Sequence, residues 1–252
     1  MITNAGHGHI GGSLSCVEIL TFLYMGGVIN STPDILKKAN RDRYIHSKGH
    51  ACEVLYAVLA RAGFFSDTLL ESYGNNGSRL GGHVDSFLPG IELSTGSLGN
   101  GLGVGAGLAL GARLKRLTYF TYVMLGDGEC YEGSVWEAAS FAAHHRLNRL
   151  VAIVDRNQEI TLDNTENCNA HEPFGDKWTS FGWHVIEVNG HDYNALDRAF
   201  KKAKKQADRP VVLIANTIKG KGISFMEKEA GWHHRVPKGK LLSEAKKELG
   251  IS

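Results

Sequence analysis

Charge of one sign is missing from this 252-residue sequence: 28 lysines and arginines stand against 26 aspartates and glutamates, for a formal net charge of +2. Without a basic or acidic field, nucleic acid and anionic membranes are not expected partners. The one basic cluster, KKAKK at 201–205, falls at helical spacing and reads as a solvated face. Long apolar runs are missing too. Nothing approaches the ~18 uninterrupted apolar residues of a membrane span, and the N-terminal MITNAGHGHIGG lacks the basic-then-apolar order of a signal peptide. Cysteine is sparse. Cys16, Cys52, Cys130 and Cys168 stand far apart with no C-x-x-C pair, which argues against a zinc site or a disulfide framework and for a reducing, cytoplasmic setting. Five prolines exclude a proline-glycine linker composition, and no internal repeat or low-complexity tract is present.

Glycine is in excess, at 31 of 252 residues, about 12% against a usual ~7%. Such glycines serve tight turns, close packing or backbone approach to a ligand. The length suits one domain spanning 1–252. Helical spacing of apolar residues predicts helices over 13–25, with Ser13 as N-cap, and over 50–64. Residues 64–96 have no period and read as an irregular segment. The glycine-rich stretch from 99 to 117 keeps helical spacing at Leu102, Ala106, Ala109, Leu110 and Leu114. It reads as a buried helix, with Gly103, Gly105 and Gly107 serving close packing. At its entrance, TGSLGNG lies where a helix N-terminus offers N–H groups to an anion.

RYIHS at 43–47 reads as a short extended piece, and four later apolar runs, TYVML, LVAIVD, HVIEV and PVVLIAN, read as strands. The stretches near 133–147 and 193–207 between them read as helices, and LLSEAKKELGIS as an amphipathic terminal helix. This alternation predicts an α/β fold, a mostly parallel central sheet with helices on both faces. In such sheets ligands bind beyond the carboxyl ends of the strands.

Two strand ends carry chemistry. LGDGECYEG puts Asp127 between glycines after one apolar run, and IVDRN ends the next in Asn157. A hard cation such as Mg²⁺ takes oxygen ligands and is commonly shared with phosphates. Asp127 supplies a carboxylate, Asn157 an amide oxygen, and the loop beyond it a backbone carbonyl, most simply that of Glu159. Gly126 and Gly128 would let a diphosphate pass close to the backbone.

GDG alone is a common turn, but an asparagine at this spacing makes the pair resemble thiamine diphosphate enzymes. The resemblance then extends over nearly the whole chain. GHIGGSLS at 8–15, RDRYIHSKGHA at 41–51, GGHVD at 81–85, TGSLGNG at 95–101, GDGECYEGSVWEAA at 126–139, DRNQEITLD at 155–163, and TIKGKGISFME with WHHRVP resemble, in order, the N-terminal diphosphate-binding domain of transketolase. The resemblance implies that Asp127, Asn157 and the Glu159 carbonyl hold Mg²⁺. It implies that Gly96, Leu98 and Gly128 line the cofactor, and that His50 and His233 contact its diphosphate. His9, His50, His83 and His233 would surround the reacting carbon and the substrate hydroxyls, and Glu132 would lie at a subunit contact near the cofactor. Histidine suits such proton traffic near neutral pH. His144, His145, His171, His184 and His191 are read as surface or hydrogen-bonded core residues.

A full transketolase also has a pyrimidine-binding domain and a third, C-terminal domain, and neither is in this sequence. The resemblance therefore implies a chain inactive alone that needs a C-terminal subunit carrying the pyrimidine-binding domain, in a heterotetramer acting on sugar phosphates. The ending favours a natural subunit of a split enzyme, and MITNAG reads as only the end of a helix. Two differences from the family stand out: Ile10 in GHIGG, where many members have proline, and His234 in WHHRVP, where glycine is common. The alternatives are a subunit of a deoxyxylulose phosphate synthase-like enzyme or of a keto acid dehydrogenase, and a catalytically silent binding module.

Overall fold

Where a strand is covered on both faces, alternate side chains must all be apolar, and the apolar runs in this sequence have that character. The computed structural model describes residues 1–251. It contains β1 (Arg43–His46), β2 (Thr121–Gly126), β3 (Leu150–Arg156), β4 (His184–Asn189) and β5 (Val211–Asn216). They form one sheet of order β1-β2-β3-β5-β4, with every neighbouring pair parallel. The helices are α1 (Ile2–Ala5), α2 (Ile10–Leu14), α3 (Val17–Met25), α4 (Cys52–Arg61), α5 (Gly101–Leu114), α6 (Gly133–His144), α7 (Thr165–Asn169), α8 (Phe174–Ser180), α9 (Tyr193–Lys205) and α10 (Lys240–Glu248).

Period-two alternation sorts the strand side chains into two cores. Tyr122, Met124, Val151, Ile153, Val211 and Leu213 pack with α3, α4 and α9, while Val123, Leu125, Ala152, Val154, Val212 and Ile214 pack with α5, α6 and the Phe174–Trp178–Trp183 group. Fully burying an aliphatic side chain contributes about 1.5–3 kcal/mol, so both layers hold the sheet firmly.

Three expectations are corrected. The helix expected over 13–25 is broken: Ser13 lies inside α2, and α3 starts after Cys16 with no side-chain cap. Ser13 does not cap because its hydroxyl donates to Glu53 Oε2 at 2.7 Å. In α5 only Gly105 serves close packing against the sheet, where a Cβ would lie 2.4 Å from Val123 Cγ2. Gly103 and Gly107 are exposed, and a Cβ would fit at either. The N–H groups at the entrance to α5 are already used, Gly99 N donating to Glu129 Oε1 at 2.9 Å and Gly101 N to Ser47 Oγ at 3.1 Å. They are therefore not the free anion-binding groups expected there.

The irregular segment is as expected, its one regular piece between 64 and 96 being a 3₁₀ turn at Asp67–Ser72. The terminal helix is α10; Ser252 lies outside the described residues. Among the described residues no helix is long and apolar enough to cross a membrane.

Candidate active site

The carboxyl ends of β2 and β3 are in register, with Gly126 opposite Asp155, so Asp127 and Asn157 emerge side by side. They line a cavity of about 340 Å³ together with Lys48, His50, Leu98, Gly128, Glu159, Lys219, His9 and His233. Of the residues singled out from sequence, His83 and Gly96 stand next to this cavity rather than in its wall. A Cβ on Gly96 would meet the His83 ring at 3.1 Å. Glu132 lies outside, exposed, with its side chain against Gly99.

Asp127 is 2% exposed, and its carboxylate accepts from Gln158 N at 2.6 Å, Gly128 N at 2.7 Å and Arg156 Nη1 at 3.3 Å. Burial, reinforced by the nearby Asp155 charge, pushes its carboxyl up to about 6. A carboxylate this poorly compensated is one that a cation would stabilise. Asn157 is oriented from both ends. Its Nδ2 lies 3.3 Å from Ser15 Oγ and 3.4 Å from Asp155 Oδ2, and its Oδ1 accepts from Glu159 N at 3.0 Å.

No three His, Cys, Asp or Glu side chains converge as a metal cluster among the described residues. The donors at Asp127 and Asn157 are instead one carboxylate, one amide oxygen and loop carbonyls. That set gives a single negative charge and only oxygen ligands, which fits Mg²⁺ completed by phosphate oxygens and not a thiophilic or imidazole-bound metal.

Sequence reasoning missed two cations here, although both lie inside quoted motifs. Lys48 pairs with Asp155 and donates to Gly12 O at 3.1 Å. Lys219 is buried and donates to Ile160 O at 2.9 Å and Glu159 O at 3.4 Å. Burial pushes the Lys219 ammonium down to about 8. Both face the cavity that Asp127 faces, as anchors for a polyanion would.

Glu129 was missed as well. Its buried carboxylate accepts from Ser47 Oγ, Gly99 N at 2.9 Å and Gly126 N at 3.1 Å, tying the loops after β1, before α5 and after β2 to one group. Gly128 has a reason other than the one expected: a Cβ there would lie 2.4 Å from Ile160 Cγ2, so the loop after β3 already fills that space. Gly126 has nothing nearer than 3.9 Å to a Cβ, which leaves room for a ligand.

The histidines do converge. The His9 ring centroid stands 5.1 Å from that of His50, 5.5 Å from His233, 6.2 Å from His83 and 4.5 Å from His234. Desolvation and mutual repulsion lower His9 to about 3 and His233 to about 4, and lower His50 as well. The cluster is therefore neutral near pH 7, presenting acceptors and N–H donors rather than groups at mid-titration. The Nδ1 atoms of His9 and His233 are buried without a hydrogen-bond partner among the described residues, a costly arrangement that a polar ligand would relieve. His171, read as a core residue, has its Nε2 3.0 Å from the Asp127 carbonyl and stacks on Tyr131.

Comparison with known proteins agrees with this geometry. Residues 1–252 match the family described as transketolase, thiamine diphosphate binding domain. The chain belongs to the transketolase family. It is 43% identical to a subunit of the apulose-4-phosphate transketolase of Phocaeicola vulgatus, over 99% of this chain and 88% of that one. It is 39% identical to a 6-deoxy-6-sulfo-D-fructose transketolase subunit of a Clostridium species, over 98% of this chain and 90% of that one. Human transketolase is 39% identical over 94% of this chain but only 38% of its own length. The crystal structure of Campylobacter jejuni transketolase superposes with a TM-score of 0.93 at 28% identity, covering all of this chain and 40% of that one. The chain thus corresponds to one of the two kinds of subunit in split transketolases and to the N-terminal part of single-chain members.

Proposed function

We propose that the chain, acting as one domain, binds thiamine diphosphate and Mg²⁺ in this cavity. With a second chain carrying the pyrimidine-binding domain, it would transfer a two-carbon ketol unit from a ketose phosphate to an aldose phosphate. The observation that carries the reading is the convergence of Asp127, Asn157 and the Glu159 loop with Lys48, Lys219 and the neutral histidines at the ends of β1, β2, β3 and β5.

In this reading Asp127, Asn157 and the Glu159 carbonyl hold the metal. Lys48, Lys219, His50 and His233 take the diphosphate, and Leu98, with Gly96 and Gly128, borders the cofactor. The cofactor supplies the carbanion chemistry when bound. The chain's own residues orient it and handle protons. A neutral imidazole on His9, His50, His83 or His233 accepts a proton from a sugar hydroxyl or holds that hydroxyl by hydrogen bond. A diphosphate beside His50 and His233 raises both back toward neutrality by its charge.

Relatives named for apulose 4-phosphate and for a 6-sulfo-fructose share a ketose with a terminal anion, and we extend that substrate class to this chain. Pentose phosphates fall within it. These relatives are named as subunits, which supports a partner chain, two copies of each forming a heterotetramer in the cytoplasm with Glu132 at a subunit contact.

The test is calorimetric titration of thiamine diphosphate with and without Mg²⁺, followed by assay of the two-chain enzyme. Asp127→Ala is expected to weaken Mg²⁺-dependent binding about 100-fold or more, in line with loss of a metal ligand. Unchanged binding in Asp127→Ala, or no turnover of any anionic ketose by the pair, overturns the reading.

A further inference from the structure

The imidazole of His9 projects into the cluster with its Nδ1 unpartnered, so no hydrogen bond at Nδ1 fixes its direction. Its backbone is held instead. Glu53, near the start of α4 and 2% exposed, accepts His9 N at 2.8 Å and the Tyr73 hydroxyl at 2.7 Å on Oε1, and the Ser13 hydroxyl at 2.7 Å on Oε2. All three partners are neutral donors.

His9 is the N-cap of α2, and its carbonyl accepts from Ser13 N at 3.0 Å. Glu53 therefore grips both ends of the first turn, the task that a capping-box glutamate performs from within a helix, here carried out from a neighbouring one. The preceding residue fits the same device. Gly8 has φ +145°, and a Cβ on it would lie 2.6 Å from Glu53 Oε1. Only glycine lets the carboxylate close on the His9 amide.

We propose that Glu53 is a positioning residue for His9, setting the angle at which that imidazole meets the sugar; this rests on the ketol-transfer reading above. What the site needs at position 53 is an acceptor, not a charge. A glutamine can keep its carbonyl oxygen on His9 N and Tyr73 and turn its amide NH₂ to the Ser13 hydroxyl, which then accepts.

The experiment compares Glu53→Met and Glu53→Gln in the two-chain enzyme, each with and without His9→Ala. Glu53→Met should lower kcat about tenfold or more while KM and thiamine diphosphate affinity stay within about threefold, and Glu53→Gln should stay within about threefold of the parent in all three. In the His9→Ala background, Glu53→Met should cost less than about twofold further, as coupled residues do. Additive losses, a Glu53→Gln enzyme as impaired as Glu53→Met, or loss of cofactor binding would each overturn the proposal.

Should Glu53→Met not fold, hydrogen exchange of the His9 amide in the unmodified chain decides: protection supports the anchor, and exchange at the free-peptide rate refutes it. If the parent pair turns over no ketose, the functional reading falls, while the exchange result still judges the anchor.

Discussion

Lys48 and Asp155 form a buried ion pair at the wall of the cavity, and each is held by further partners. Lys48 donates to Gly12 O, and Asp155 accepts from Ser15, Thr217 and, at 3.4 Å, Asn157 Nδ2. Burial alone would raise the Asp155 carboxyl, but Lys48 and the two hydroxyls hold it below the usual carboxylate range. Removing one partner strands the other charge. Asp155→Asn is expected to destabilise the chain by about 3–5 kcal/mol in urea unfolding, and Lys48→Met added to it should recover much of that loss. A loss under ~1 kcal/mol would show that the pair is not dry.

Gly128 and Ile160 make a steric prediction. Gly128→Ala places a methyl on Ile160 Cγ2 and should cost about 1–3 kcal/mol of stability. Ile160→Ala in the same chain should relieve it, so that the double variant is more stable than Gly128→Ala alone.

These two pairs show what was readable beforehand. Asp127 and Asn157 were legible because strand ends announce themselves: an apolar run stops, and a polar residue stands beside glycine. Lys48, Asp155, Glu129 and Lys219 were not. A buried charge is spelled with the same letters as a surface one, and only the packing of α2 and of the loops after β1, β3 and β5 takes these four out of water. The sheet was legible for the opposite reason, since strands covered on both faces are continuous apolar runs. Gly103 and Gly107 misled because helical spacing identifies an element but not which of its small residues face inward.

The depressed histidines set an acid limit. His9 and His46, lowered to about 3, and His233, lowered to about 4, bind protons more weakly in the folded chain than in the unfolded one. The unfolded state therefore takes up more protons between pH ~6.5 and those values, and stability falls as pH drops through that window. Urea midpoints of the cofactor-free chain should decline steadily from pH 7 to 4. His46→Gln should reduce the slope, provided that its amide keeps a bond to Tyr44 or Ala51.

Lys219 has the corresponding alkaline effect. Its ammonium is disfavoured by burial, so the free chain should gain stability as pH rises from about 8 toward the ordinary lysine value. Lys219→Met should abolish that gain and raise the free chain's melting temperature at pH 7. It should also weaken thiamine diphosphate binding about tenfold or more, since the charge is then missing where the phosphates sit. Unfolding scans and calorimetry on one preparation read both effects.

The Glu129 carboxylate, gripping Ser47, Gly99 and Gly126 at once, has a consequence for the order of events. Three loops bolted to one buried group cannot wait for a partner to arrange them, so their conformational entropy is surrendered when the chain folds rather than when the subunits meet. This chain accordingly meets its partner as a finished half-mould, and what assembly must still shape is the other half.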